Sequence, residues 1–167
     1  MPSFELKPIG RVDFPSNDDN YWDFSLPHAD RSIEVDFNLE EGEMTKPRFD
    51  SVKKFVESAY SFESAARKAI EQDFAEDPES SSATYLSHHA EELSDEERLK
   101  YFGSKDASTL KVEHLLRSLH LQRIGLYPDS EDYVAVFDFS LDPNATQYIL
   151  AVEFDASGEV VGVSMES

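Results

Sequence analysis

The 167-residue sequence predicts an α+β fold: an antiparallel sheet built from N-terminal strands and a C-terminal four-stranded meander, with the middle helices packed on one face. Three observations predict it. Apolar and polar residues alternate at both ends of the chain, the period of a strand with one wet face. Between residues 45 and 120 apolar residues recur every three or four positions, the period of a helix with one buried stripe. The last four alternating runs are separated by short turn sequences, which favour hairpins and antiparallel neighbours. Strands (1–43), helices (45–120) and strands (121–167) read as a single domain, 1–167, because no part alone has enough core.

Phe4–Leu6 and Ile9–Asp13 are short strands divided by Pro8. After the polar turn Asn17-Asp18-Asp19-Asn20 comes Tyr21–Leu26, and then Ile33–Leu39. In this last strand Ile33, Val35, Phe37 and Leu39 share one face, while Glu34, Asp36 and Asn38 share the other. Thr45 is placed to cap a helix whose first turn tolerates Pro47, and Phe49, Val52, Phe55, Val56 and Ala59 follow at helical spacing. Phe62, Ala65, Ala66, Ala69, Ile70 and Phe74 extend the stripe, in the same helix or in a new one after Ser61. Arg67 and Lys68 lie off it and are expected in solvent. Asp77-Pro78 with Ser80, Ser81 and Ser82 is a loop. Leu86, His89, Ala90 and Leu93 mark a further helix. Ser94-Asp95-Glu96-Glu97 is a capping box, and Gly103 stops the helix it starts. Val112, Leu115, Leu116 and Leu119 mark the last helix, capped from Ser108 or Thr109. The meander comprises Leu121–Tyr127, Tyr133–Leu141, Gln147–Phe154 and Val160–Met165.

The chain has 35 Asp and Glu against 15 Lys and Arg, a formal net charge of −20, and no cysteine. The last fact excludes a disulfide scaffold, a thiolate zinc site, an iron–sulfur cluster and a cysteine nucleophile. Apolar residues make up 40%, including 12 Phe and 7 Tyr, which is enough for a core despite the charge. A folded chain of this mass exposes on the order of 8,400 Å², about 420 Å² for each net negative charge. Such a surface repels nucleic acid and anionic membranes, whereas it steers a basic protein inward. No Lys or Arg occurs from Glu71 to Glu97, and none follows Arg123. Apolar stretches stop short of bilayer length, and Met1–Gly10 lacks a secretory pattern, so a cytoplasmic location is expected. Asn144-Ala145-Thr146 matches a glycosylation sequon but reads here as a turn.

If the strands share one sheet, Asp23, Glu34, Asp36, Asp138 and Glu153 fall together on its open face. These five are the expected partner-binding residues, and the expected partner is a basic protein. A metal alternative rests on His88 and Glu92, which lie at i,i+4 on a helix and can reach one ion. His89 falls on the apolar stripe, where a hydrogen-bonded core histidine is expected. His114 and His120 flank the stripe of the last helix, and His120 is expected to cap its C-terminus. His28 follows Pro27 in a turn with no partner suggested. There is no G-x-S-x-G elbow, Gly-rich phosphate loop, Walker sequence or calcium loop, so neither a catalytic residue nor a cofactor is expected.

The segment Leu119-His120-Leu121-Gln122-Arg123-Ile124-Gly125-Leu126-Tyr127-Pro128 carries a family likeness. It is shared by Tyr133-Val134-Ala135-Val136-Phe137-Asp138-Phe139, by the ending Gly162–Ser167, by Asp73-Phe74 and by the stretch Tyr85–Leu93. From about Phe4 to Ser167 the chain thus resembles the bacterial domain-of-unknown-function family numbered two thousand and four. That resemblance implies a small acidic cytoplasmic protein and carries no activity, cofactor or catalytic residue with it. The expectation is a non-enzymatic protein-binding module that engages a basic partner, as an immunity or antitoxin-like inhibitor does. The alternative is a divalent-metal or small-ligand binding protein, or a hydrolase, using His88, His89 and nearby carboxylates.

Overall fold

The computed structural model describes residues 1–167. Alternation at the N-terminal end produces β1 (Ser3–Leu6), β2 (Gly10–Asp13), β3 (Tyr21–His28) and β4 (Arg31–Asn38). The helical middle comprises α1 (Lys46–Val52), α2 (Lys54–Glu57), α3 (Ala59–Glu76), α4 (Ser81–Glu92), α5 (Asp95–Phe102) and α6 (Val112–Ser118). A single 3₁₀ turn, Ala107–Thr109, precedes α6. The meander is β5 (His120–Leu126), β6 (Ala135–Ser140), β7 (Ile149–Phe154) and β8 (Val160–Glu166). The fold is α+β, with a six-stranded sheet in the order β3-β4-β5-β6-β7-β8.

Two features differ from the simplest reading of the sequence. The hairpin β1–β2 forms its own two-stranded sheet instead of joining the larger one. Its apolar side chains Leu6 and Val12 nevertheless belong to the one core cluster that spans the molecule. The join between the two β regions, β4 against β5, is parallel, while every other neighbouring pair is antiparallel. A parallel pair needs a crossover, because the chain leaves β4 at one end and must re-enter beside its start. The helices are that crossover, so they are laid across one face of the sheet.

Ring contacts show which face they cover. Phe49 of α1 stacks on Phe37 at 5.9 Å, and Phe55 of α2 lies 5.7 Å from Phe154. Phe62 of α3 lies 5.5 Å from Phe154, and the Arg67 guanidinium sits 5.2 Å above the Phe139 ring. These sheet residues all have the parity of Ile33, Val35 and Ile124, each less than a twentieth exposed. The opposite parity is left without a helical layer.

The helical stripe is cut into three pieces. Ser58, with ψ 38°, leaves helical geometry and separates α2 from α3. Thr45 caps α1 by accepting from the Arg48 N–H at 3.4 Å. The Ser94–Glu97 box is reciprocal, at 3.2 and 3.1 Å, and Gly103 takes φ +79° to end α5. The last helix starts at neither Ser108 nor Thr109, which lie in the 3₁₀ turn. Lys111 occupies its N-cap position, and the Lys111 N–H donates to His114 Nδ1 at 2.9 Å.

Arg67 is not solvated. It donates to Glu63 and to the carbonyls of Leu116 and Leu119 at 2.8 and 2.9 Å, closing the C-terminus of α6 from the side. That leaves no capping work for His120, which is the first residue of β5. Burial, reinforced by Arg31 and Arg67, lowers its pKa.

The N-terminal end of the core is aromatic. Phe14, 1% exposed, makes edge contacts with Trp22 at 5.4 Å, Phe24 at 5.7 Å and Phe37 at 5.0 Å. It follows β2 directly and so ties the separate hairpin to the main sheet. Phe14→Ala is expected to cost about 3–5 kcal/mol of stability in urea unfolding, and to shift emission of the single tryptophan toward the red. A variant as stable as the parent, with unchanged Trp22 emission, would show that the hairpin is not anchored there.

Candidate functional site

The uncovered face is set by strand parity. Asp23 on β3, Glu34 and Asp36 on β4, Asp138 on β6 and Glu153 on β7 all project to it, as does Glu166 on β8. The one basic side chain among them is Arg123 of β5, opposite Glu34 on one side and Asp138 on the other. Six carboxylates therefore surround a single guanidinium.

The five sequence-predicted residues share this face but not one environment. Asp36 and Asp138 are buried, at 0% and 6% exposure, while Asp23 and Glu34 are open and Glu153 is intermediate. The difference is Arg123. Its Nε and Nη2 donate to the two oxygens of Asp36 at 2.6 and 2.7 Å, a bidentate clasp. Its Nη1 donates to Asp138 Oδ2 at 3.0 Å, and Nη2 also reaches the Tyr127 hydroxyl at 2.8 Å. Asn38 Nδ2 adds a further donor to Asp36 Oδ1 at 2.6 Å. The guanidinium lies flat over Gly125, where a Cβ would come within 2.5 Å of Nη2. Asp36 is thus amply paired, whereas Asp138 Oδ1 is buried without a partner. Burial raises the Asp138 pKa; the Arg123 contact opposes that shift and the charges of Glu166 and Asp36 add to it.

Around this neutralised centre the free charge lies toward the margins. On the β3 side the Tyr21 hydroxyl donates to Glu34 Oε1 at 2.6 Å. That bond, with burial and the charges of Asp36, Glu34 and Asp23, holds the phenol well above its ordinary pKa. Asp23 and Asp36 are direct cross-strand partners, like charges that Arg123 reconciles by taking Asp36. On the β8 side the Glu153 side chain lies beside Gly162. Burial and the charges of Glu166 and Asp132 raise its pKa.

The imidazoles do not assemble a metal centre. His89 is buried, with Nδ1 2.7 Å from the Tyr85 carbonyl and Nε2 2.8 Å from Thr146 Oγ1. A carbonyl only accepts, so the Nδ1 proton is donated to it and Nε2 accepts from the threonine hydroxyl, which in turn accepts from the Tyr148 N–H. Both nitrogens are occupied, and burial lowers the ring's pKa. Thr146 of the sequon is thereby engaged in a turn. His88 packs edge-on to Tyr148 at 4.8 Å, and no third His, Asp or Glu gathers with His88 and Glu92 into a group that could hold an ion. His28, which showed no partner in the sequence, is buried at the end of β3. Its Nε2 donates to Glu63 Oε1 at 2.6 Å, and its ring stacks on Tyr60 at 4.1 Å. Burial alone would raise the Glu63 carboxyl, but the bonds from His28 and Arg67 bring its pKa below the ordinary value.

No helix is long and apolar enough to cross a membrane. No family model, curated protein or solved structure matches the chain.

The unequal pairing of the two aspartates is measurable. Asp36→Asn breaks the clasp and is expected to cost about 2–4 kcal/mol, whereas Asp138→Asn keeps an oxygen for Nη1 and costs under about 1 kcal/mol. Because the folded-state pKa of Asp138 is raised, its proton stabilises the fold at low pH. That stabilisation is lost as pH rises through the raised value. The stability gap between the parent and Asp138→Asn in urea titrations therefore shrinks from acid to neutral pH. Equal costs for the two variants, or a gap that widens with pH, would contradict this account.

Proposed function

We propose that this chain is a non-enzymatic protein-binding module that engages a basic partner, an inhibitor of the immunity or antitoxin type. The observation that carries the reading is the uncovered sheet face, on which the one guanidinium is consumed internally by Asp36 and Asp138. What the face offers a visitor is the remaining negative charge of Asp23, Glu34, Glu153 and Glu166 on a rigid, hydrogen-bonded strand frame. Rigid placement matters because an incoming cation meets charges whose spacing is already set, so less ordering entropy is lost on docking.

The whole-molecule field acts in the same direction. A net charge of −20 over 8982 Å² accelerates encounter with a cationic protein at low salt and suppresses approach to polyanions. Proteins that block nucleases present carboxylates where the enzyme expects phosphate, and this face has that character. The metal-binding alternative gains no support, since both nitrogens of His89 are engaged and His88 with Glu92 lacks a third ligand.

The test is affinity capture from the source cell at low salt, identification of the retained protein, and calorimetry with that protein purified. A basic protein is expected, bound at least tenfold more weakly at about 0.5 M salt. The double variant Asp23→Lys/Glu34→Lys should abolish binding. A helix-side control, Glu91→Lys/Glu96→Lys, exposed on α4 and α5, makes the same change in net charge and should not. Capture of no basic protein, or equal loss in both variants, sinks the assignment.

A further inference from the structure

The six-stranded sheet has two free edges, and the chain treats them differently. The β3 edge carries Pro27, which cannot donate to a ladder, and Asn17 Nδ2 occupies the Tyr21 carbonyl at 3.0 Å. The β8 edge has neither device. β8 is joined only to β7, and no backbone or side-chain hydrogen bond from elsewhere reaches Val160–Glu166. The β7–β8 register skips Val161, which stands 51% exposed, and then runs regularly through Gly162–Glu166.

Beside this edge lies a groove of about 550 Å³ between α3 and β8. Its walls include the small or apolar side chains Ala65, Ala69, Val160 and Val163. Asp73, Glu76 and Glu159 outnumber the single Lys68 among its charged residues. On the other side of the sheet, the same edge presents Glu166, with Glu153 one strand in.

We propose that the β8 edge is a docking site for an extended segment of the basic partner, which adds as a seventh strand. This rests on the proposed function for the identity of the partner class. Geometry then dictates the segment's pattern. Successive side chains of an added strand point to opposite faces, so alternate residues enter the α3–β8 groove while the others overlie the carboxylate face. The groove takes small apolar residues, and Glu153 and Glu166 take lysine or arginine. The occupant is an apolar–basic alternating segment. A second copy of this chain is disfavoured, because it would bring an equally acidic edge alongside.

The probe is an acetylated, amidated octapeptide of alternating valine and lysine, with a control of the same composition in which four valines precede four lysines. Amide hydrogen exchange on the intact protein should slow at alternate positions within Gly162–Glu166 with the alternating peptide only. Ala69→Arg, which fills the groove with a long cation from a partly buried helix position, should weaken the alternating peptide at least tenfold, with a cooperative thermal transition above the assay temperature showing that the variant is folded. As a second blocking variant, Val161→Lys tests the same edge without touching α3. Equal binding of the two peptides, protection at Tyr21–His28 instead of β8, or pairing of two copies through β8 in sedimentation would overturn the proposal. Protection of β8 by the peptide, with no basic protein captured from the cell, would leave this edge site standing and remove only the proposed partner class.

Discussion

The Arg123 guanidinium holds the two halves of the sheet in register. It grows from β5, clasps Asp36 on β4 and reaches Asp138 on β6, so one side chain spans three strands. The β4–β5 seam it bridges is parallel and pairs only Glu34–Phe37 with Arg123–Leu126. A slip of one residue would turn Arg123 toward the phenylalanines beneath and bring Ile124 to the carboxylates. That alternative buries an unpaired charge, which costs several kcal/mol, so the ion cluster selects one register where the short ladder alone would select weakly. Gly125 belongs to the same device, since it leaves the space the guanidinium occupies.

Much of the architecture could be read from local pattern because it is locally caused. Ile33–Leu39 alternates because one face is dry, and the Ser94–Glu97 box and Gly103 mark a helix by chemistry confined to a few residues. Strand parity also placed Asp23, Glu34, Asp36, Asp138 and Glu153 on a common face. It could not separate the buried pair from the exposed ones, because that depends on an arginine 87 residues from Asp36 in the chain. Arg67 was hidden for the same reason: it looks like a surface residue of α3 until the carbonyls of Leu116 and Leu119 arrive beside it. His28 had no visible partner because Glu63 is 35 residues on, in α3, beyond β4, α1 and α2. Long-range polar pairs leave no periodic trace.

The two sides of the sheet divide the labour. The helix side carries the burial of phenylalanine and aliphatic side chains that holds the fold together. The other side carries charge, two of its six carboxylates held by Arg123 to fix strand order and four left at the margins. Removing the Asp36 carboxylate at the centre therefore perturbs folding, whereas changing those at the margins perturbs only what the surface meets. Acidic residues that look alike in the sequence thus belong to two separable sets.

The parallel seam also orders events in time. During synthesis β3 and β4 emerge early, yet the strand that completes their sheet follows only after all the helices. Until then Ile33, Val35 and Phe37 have helices to rest on but no neighbour along the open edge of β4. The ribosome must release most of the polypeptide before the long-range sheet can close. A nascent intermediate in which the β4 edge is also unpaired is therefore built into the order of the chain, and it is the stage at which a chaperone would find most to hold.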